Sequence, residues 1–190
     1  MKNILKSKKG LSTVVTTLII LVVSVLLATV VTFYAINITT NRTQQESLYM
    51  SNLHVWYNTT SPGWAEAAFI LVNTGGKDVV LQKITARSQP SPWTAVFYNA
   101  SKNAVSGDLP PTATQVLDNV PVTTTGATTP TVVTLHAATG VITLKSGYTL
   151  VVYIIQPDSV GQNDVGTPVA VTVFTANAQW TQEVNTEAAQ

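Results

Sequence analysis

The sequence predicts an α+β chain, with one long hydrophobic α-helix followed by an all-β sandwich domain. Two observations carry this. Leu11 to Ile36 reads LSTVVTTLIILVVSVLLATVVTFYAI, and no Asp, Glu, Lys, Arg or His occurs between Lys9 and Arg42. Such a run exceeds the roughly 18 apolar residues needed to cross a bilayer as a helix. From Leu48 onward the pattern changes to short runs rich in Val, Ile, Thr and aromatics, divided by Gly, Pro, Asn and Asp, which is how strands and their turns read.

The helix is apolar on every side, Val14, Val15, Leu18, Ile19, Leu21 and Val22 pointing all round it, so lipid or sister helices must cover it. Val, Ile and Thr are mediocre helix formers in water, but an apolar surrounding forces the backbone to satisfy itself, and helix results. Ser24, Ala28 and Thr32 recur at i, i+4 and i+8, and Thr13 and Thr17 form a similar pair. Small residues in such rows let helices approach closely. Beyond Ile36 the chain turns polar without Pro or Gly, so the helix is expected to run on to about residue 47.

Lys2, Lys6, Lys8 and Lys9 precede the run, and lysines hold their side of a membrane segment in the cytoplasm. The rest of the chain is then expected outside. Three fates fit this N-terminus. A secretory signal peptide needs an apolar core of about 7–15 residues and a small-residue exit, both poorly matched here. An uncleaved anchor fits the lysines and the length. Cleavage after Gly10, in Lys8-Lys9-Gly10-Leu11, would act at the cytoplasmic face and leave the whole helix on the mature chain.

That last arrangement resembles the class III signal peptide of archaeal type IV pilins and archaellins, in which a membrane peptidase cuts after a glycine preceded by basic residues. The resemblance covers residues 1 to about 45. It implies residues 1–10 as a removed leader, Leu11 as the mature N-terminus, 11–47 as a helix resident first in the membrane and then in a filament core, and 48–190 as an extracellular domain. Glycine at the cut permits the extended backbone that a protease binds. Bacterial type IV pilins usually carry a glutamate at the fifth mature position, where this chain has Val15. Registry through a carboxylate is thereby removed, and the small-residue rows are left to provide it.

Strands are predicted near 48–57, 65–72, 79–87, 94–98, 131–136, 148–156 and 168–180, enough for a sandwich. Tyr148 to Ile155 is apolar on both alternating faces and reads as a central, covered strand. Asn73-Thr74-Gly75-Gly76 supplies residues that tolerate positive φ between two strands. It resembles a turn in the Ig-like β domain of archaeal pilins and archaellins. The Thr- and Pro-rich stretch from Pro110 to Thr134 reads as an irregular loop with short edge strands, or as an O-glycosylated or partner-contacting surface.

Composition narrows the chemistry. There is no cysteine, so an exported domain must rely on packing and sheet hydrogen bonds. Removing residues 1–10 takes four of the ten Lys and Arg and none of the nine Asp and Glu, which leaves no basic footprint for nucleic acid. His54 and His136 stand apart in strand-like runs and read as solvent-face residues, so neither a metal site nor any other cofactor is expected. The acidic residues fall mostly in turns and tails, with no evident acid/base couple, no nucleophile elbow and no phosphate loop. An enzyme is not expected. Sparse carboxylates predict a stability that depends weakly on acidity. Four N-glycosylation sequons occur, at Asn37, Asn41, Asn58 and Asn99, of which Asn58 and Asn99 are predicted in loops and favoured.

The expected function is a structural subunit of an archaeal type IV adhesion pilus, a glycoprotein polymerising through its helix into a helical homo-oligomer. The resemblance implies as partners a prepilin peptidase, an assembly ATPase with its membrane platform, and the membrane before assembly. Two alternatives stay open: a membrane-anchored β-sandwich receptor or solute-binding module, and an archaellin of a motility filament.

Overall fold

A single helix, α1 (Lys2–Thr43), forms the first of two units, Met1–Thr43, and the second unit is Gln44–Gln190. The structure is a computed structural model describing residues 2–59, 64–105, 107–112, 120–123, 130–157 and 160–189, without the side chains of 2–11 and 42–43. Its apolar part, Ser12–Asn41, is long enough at 1.5 Å per residue to reach about 45 Å, against a hydrocarbon core of about 30 Å. Gly10 lies inside the helix, which ends at Thr43, short of residue 47. Four residues further on, the β unit holds the chain at Ser47, whose carbonyl accepts from the Thr74 and Gly75 N–H groups.

In its described residues that unit holds thirteen strands. They are β1 (Leu48–Asn58), β2 (Trp64–Asn73), β3 (Val79–Ala86), β4 (Gln89–Pro90), β5 (Val96–Ser101), β6 (Val120–Val122), β7 (Thr131–Val133), β8 (His136–Ala137), β9 (Ile142–Leu144), β10 (Thr149–Ile155), β11 (Pro168–Thr175), β12 (Gln179–Asn185) and β13 (Glu187–Ala189). One sheet runs β13-β1-β2-β10-β5-β8, a second runs β12-β11-β3-β4 with β9 also on β3, and β6 pairs with β7 as a ribbon. All named pairs are antiparallel except β1 with β13.

The sandwich core lies between the two larger sheets, where Phe69, Leu71 and Leu150 meet Leu81, Ile84 and Val171. A second apolar layer covers the other face of the six-stranded sheet: Trp56, Ile70, Val151 and Tyr153 pack with Leu109, Val120, Val122 and Leu135. That sheet is therefore buried on both faces. The doubly apolar pattern of β10 follows, with Leu150, Val152 and Ile154 in the first core and Val151, Tyr153 and Ile155 against the second layer.

Two bulges reconcile alternation with the sequence. In β1, Leu48 and Met50 belong with the inner core at even positions, yet Leu53 and Val55 do so at odd ones. The register shift between Ser51 and His54, with Asn52 at φ 49°, absorbs the extra residue. His54 and Trp56 are thereby turned to the outer face. In β3, Gln82 and Lys83 are both exposed between buried Leu81 and Ile84, at the register shift opposite Phe174 and Thr175.

Other expectations are corrected. The run 168–180 is a hairpin, not one strand: β11 and β12 are joined through Ala176–Ala178, where the Thr175 N–H donates to Ala178 O at 2.9 Å and the Ala178 N–H to Thr175 Oγ1 at 3.2 Å. A 3₁₀ turn at Trp93–Ala95 precedes β5, and 131–136 divides into β7 and β8. Gly75 and Gly76 do not have positive φ; among the described glycines only Gly147 and Gly166 do. Gly75 matters through close approach instead, since a Cβ there would sit 2.8 Å from Gln45 O and 2.9 Å from Ser47 N. The Thr74 and Gly75 N–H groups both donate to Ser47 O, at 2.9 and 3.1 Å. Asn73, 1% exposed, closes the turn by donating to Lys77 O and Leu144 O while its Oδ1 accepts from the Gly75 N–H. Of the stretch 110–134, residues 113–119 and 124–129 lie outside the described residues; the rest supplies β6 and β7.

Candidate functional site

The helix surface carries the predicted packing residues. Ser24 Oγ donates to Ile20 O at 2.7 Å, Thr32 Oγ1 to Ala28 O at 2.7 Å, and Thr17 Oγ1 to Val14 O at 2.9 Å. Thr16, Thr29, Thr39 and Thr40 likewise donate to carbonyls one turn back. Hydroxyls satisfied in this way leave their row with an apolar exterior. Ala28 and Thr32 form the floor of a shallow groove walled by Val25, Thr29, Phe33 and Ile36, and Thr17 lies in a second one with Val14, Leu18 and Leu21. Ser24 and Thr13 line neither groove. Thr29 does, and the i, i+4 spacing that selected Ala28 and Thr32 also joins Thr29 to Val25 and Phe33. The side chains of Lys8, Lys9 and Leu11 lie outside the described residues, and their backbone, like that of Gly10, is helical.

The sequons change order. Asn58 ends β1 and is 8% exposed, and Asn99 lies within β5, half-buried, its Nδ2 donating to Thr134 O at 2.9 Å. Neither is in a loop. Asn37 and Asn41 are exposed on the helix, the Asn41 amide donating to Asn37 Oδ1.

In the β unit the structure assembles groups that the sequence kept far apart. His54 is not a solvent-face residue: only 20% of its side chain is exposed, and its ring stacks on Trp56 with centroids 5.1 Å apart and planes 2° from parallel. His54 Nε2 is 2.6 Å from Asp108 Oδ1, and Nδ1 is 3.5 Å from Glu187 Oε1, without a hydrogen bond. The Trp56 indole N–H donates to Glu187 Oε2 at 3.1 Å. With Leu109, Pro110 and Pro111 these residues line an open cleft of about 340 Å³. The two carboxylates approach opposite ring nitrogens and do not converge on one point; among the described residues no group of three or more such side chains is placed to hold a metal ion.

Beside this cleft Glu66 is fully buried, flanked across the sheet by Trp56 and Ile155. Thr112 donates to it twice, from its N–H to Oε2 at 2.9 Å and from Oγ1 to Oε1 at 2.8 Å. Burial pushes the carboxyl up to about 6, the Thr112 bonds offsetting part of the effect. The Tyr153 hydroxyl donates to Pro110 O at 2.9 Å, and burial, with the Glu66 and Asp108 charges, pushes its ionisation upward. Segment 108–112 is thus held by His54, Tyr153, Glu66 and the burial of Leu109.

A second cluster secures the entry to β1. The Glu46 side chain, 7% exposed, accepts from Thr175 Oγ1 and from the Asn177 amide, with Lys77 Nζ 3.8 Å away. Burial opposes its ionisation, but these bonds and the ammonium outweigh it and hold the carboxyl below its ordinary value. At the far end of the unit, the Gly161 N–H and the Arg87 guanidinium, 2.9 Å away, hold Asp164 below its ordinary value. Sequence could flag Glu66 as a carboxylate inside an apolar strand, but nothing local pairs residues 54, 108 and 187.

No protein-family profile matches the chain, and no curated protein matches it. Among solved structures it is similar to the copper-bound PCuAC domain from PmoF2, at 11% identity and a TM-score of 0.34, over 77% of this chain and 100% of that one.

Proposed function

We propose that the chain is the structural subunit of an archaeal type IV adhesion pilus, an extracellular filament assembled from a membrane-resident precursor. One observation carries this reading: from Val14 to Ile38 the large apolar side chains of the helix are 42% to 71% exposed all round it, a surface that water does not tolerate. Lipid covers it before assembly and sister helices afterwards. Because moving an apolar helix from lipid into a bundle gains little hydrophobic free energy, assembly depends on close packing along the grooves at Ala28, Thr32 and Thr17, and on contacts between Ig-like β domains. One heterologous contact repeated without closure yields a helical polymer. The leader residues Lys8, Lys9 and Gly10 address the precursor to a prepilin peptidase, and an assembly ATPase with its membrane platform performs extraction. Exposed Asn37 and Asn41 are the sequons best placed to carry glycan.

Filaments sheared from cells and subjected to N-terminal sequencing test this directly. The expected product begins at Leu11 and forms a helical polymer under the electron microscope, and Gly10→Phe leaves unassembled precursor in the membrane. A chain that begins at Met1 and stays in the membrane is an anchored surface module instead.

A further inference from the structure

We propose that segment Asp108–Thr112 is an acid-tightened latch on the outer face of the six-stranded sheet, closed in acidic surroundings and loosened as they turn alkaline. The geometry comes first. Leu109 is 2% exposed in the second apolar layer, and the segment's polar ties run to three strands: Asp108 to His54 of β1, Pro110 to Tyr153 of β10, and Thr112 to Glu66 of β2. Of the three ties, the one to Glu66 ends on a fully buried carboxyl that gains or loses a proton. The charged and titratable groups facing them are Asp108 on the segment, His54 on β1, Glu66 on β2, Tyr153 on β10 and Glu187 on β13.

The Glu66 tie strengthens in acid. A protonated Glu66 is still matched by Thr112, because its carbonyl oxygen accepts the N–H and its hydroxyl donates to Thr112 Oγ1, whose own proton turns away. An ionised Glu66 keeps both bonds but places a charge between Trp56 and Ile155, out of reach of water, and opening the latch relieves it. Glu66 at about 6 when latched, against 4.5 when exposed, sets a limit of about 30-fold on the change in the opening equilibrium that this residue confers.

Leu109 and Thr112 are the reporters, because Pro110 and Pro111 between them have no amide hydrogen. Hydrogen exchange of the full-length chain in detergent, corrected for intrinsic rates, is compared at pH 5 and pH 8. The expected result is that both amides exchange faster than those of β10, through a partial opening, and that their protection is about 8-fold higher at pH 5 than at pH 8, the part of the 30-fold limit that this interval spans. Glu66→Gln, which keeps an acceptor and a donor for Thr112, flattens that dependence and brings protection at pH 8 to the acid level. His54→Gln removes only the Asp108 tie and leaves the pH dependence in place. Equal wild-type protection at the two pH values, exchange of Leu109 and Thr112 at the β10 rate, or an unchanged dependence in Glu66→Gln each overturns the latch. Should Glu66→Gln fail to fold, the wild-type comparison with β10 still decides.

Discussion

Gly75→Ala tests whether the entry to β1 is seated by backbone contact, as the structure has it. A Cβ at this position would lie 2.8 Å from Gln45 O and 2.9 Å from Ser47 N, both backbone atoms that cannot swing aside. Ordinary contact requires the segment to retreat by about half an ångström. The bonds from the Thr74 and Gly75 N–H groups to Ser47 O, now 2.9 and 3.1 Å, then reach or pass the limit of good geometry. Overpacking of this kind costs about 1–3 kcal/mol, and weakening two hydrogen bonds adds about 1 kcal/mol. The stiffer unfolded chain returns about 0.4–1 kcal/mol, since no positive φ is involved. A net loss of about 1–3 kcal/mol lowers Tm by about 3–10 °C in a chain of this size. Thermal unfolding of the full chain in detergent, followed by tryptophan fluorescence, measures it. Gly140→Ala is the reference, because a Cβ there meets nothing within 4 Å, and it should be neutral or slightly stabilising. Equal Tm values for the two variants would refute the seating of the entry segment.

Three further perturbations probe the β unit and the helix. Asn52→Ala removes a residue suited to φ 49° and its Nδ2 bond to Gly107 O, and should cost about 1–3 kcal/mol in chemical denaturation, whereas Asn52→Gly should recover most of the backbone part. Stability should peak near pH 4.5. The folded state raises Glu66 to about 6, so its contribution, about 2 kcal/mol, is complete below 4.5 and is lost as pH rises through 6; lowered Glu46 and Asp164 contribute above their ordinary values and lose that contribution at lower pH, and a Tm profile from pH 3 to 8 reads both limbs. Ala28→Phe fills the groove between Val25 and Phe33, an overpacking of about 1–3 kcal/mol repeated at every subunit contact, and should abolish sheared filaments while the membrane level of the subunit is unchanged. Undiminished filament yield at normal membrane level would place the core contact on another face.

Local pattern made the helix, the strands over β1, β2, β3 and β10, and the doubly buried β10 legible, because length, alternation and apolar runs report burial directly. What stayed hidden depended on partners remote in the chain. Pro168 to Trp180 reads as one strand since its turn, Ala176-Asn177-Ala178, has neither Gly nor Pro and is made by Thr175 bonding across it. Short β6, β9 and β13 have no period to detect and exist only through their pairing. Asn58 and Asn99, followed by Thr and Ser, look like loop sequons but pair in sheets. His54 reads as solvent-facing, yet the outer face to which it turns is covered by Leu109, Pro110 and Pro111 and flanked by Asp108 and Glu187, partners too remote in the chain for local pattern to show. The turn Asn73-Thr74-Gly75-Gly76 is legible in the sequence, but its pattern suggests torsional freedom, whereas Gly75 serves through the backbone that lies against it.

The serine and threonine hydroxyls of the helix have a consequence for how such a segment travels. Thr16, Thr17, Ser24, Thr29 and Thr32 each hold a carbonyl of their own helix, so their polarity is settled before any neighbour arrives. A helix of this kind can exchange acyl chains for protein, or protein for acyl chains, with no hydrogen bond broken and no polar group stripped of its partner. The exchange is then governed by shape alone: it is indifferent to salt, sensitive to a single methyl group, and reversible in either direction by whatever supplies the mechanical work.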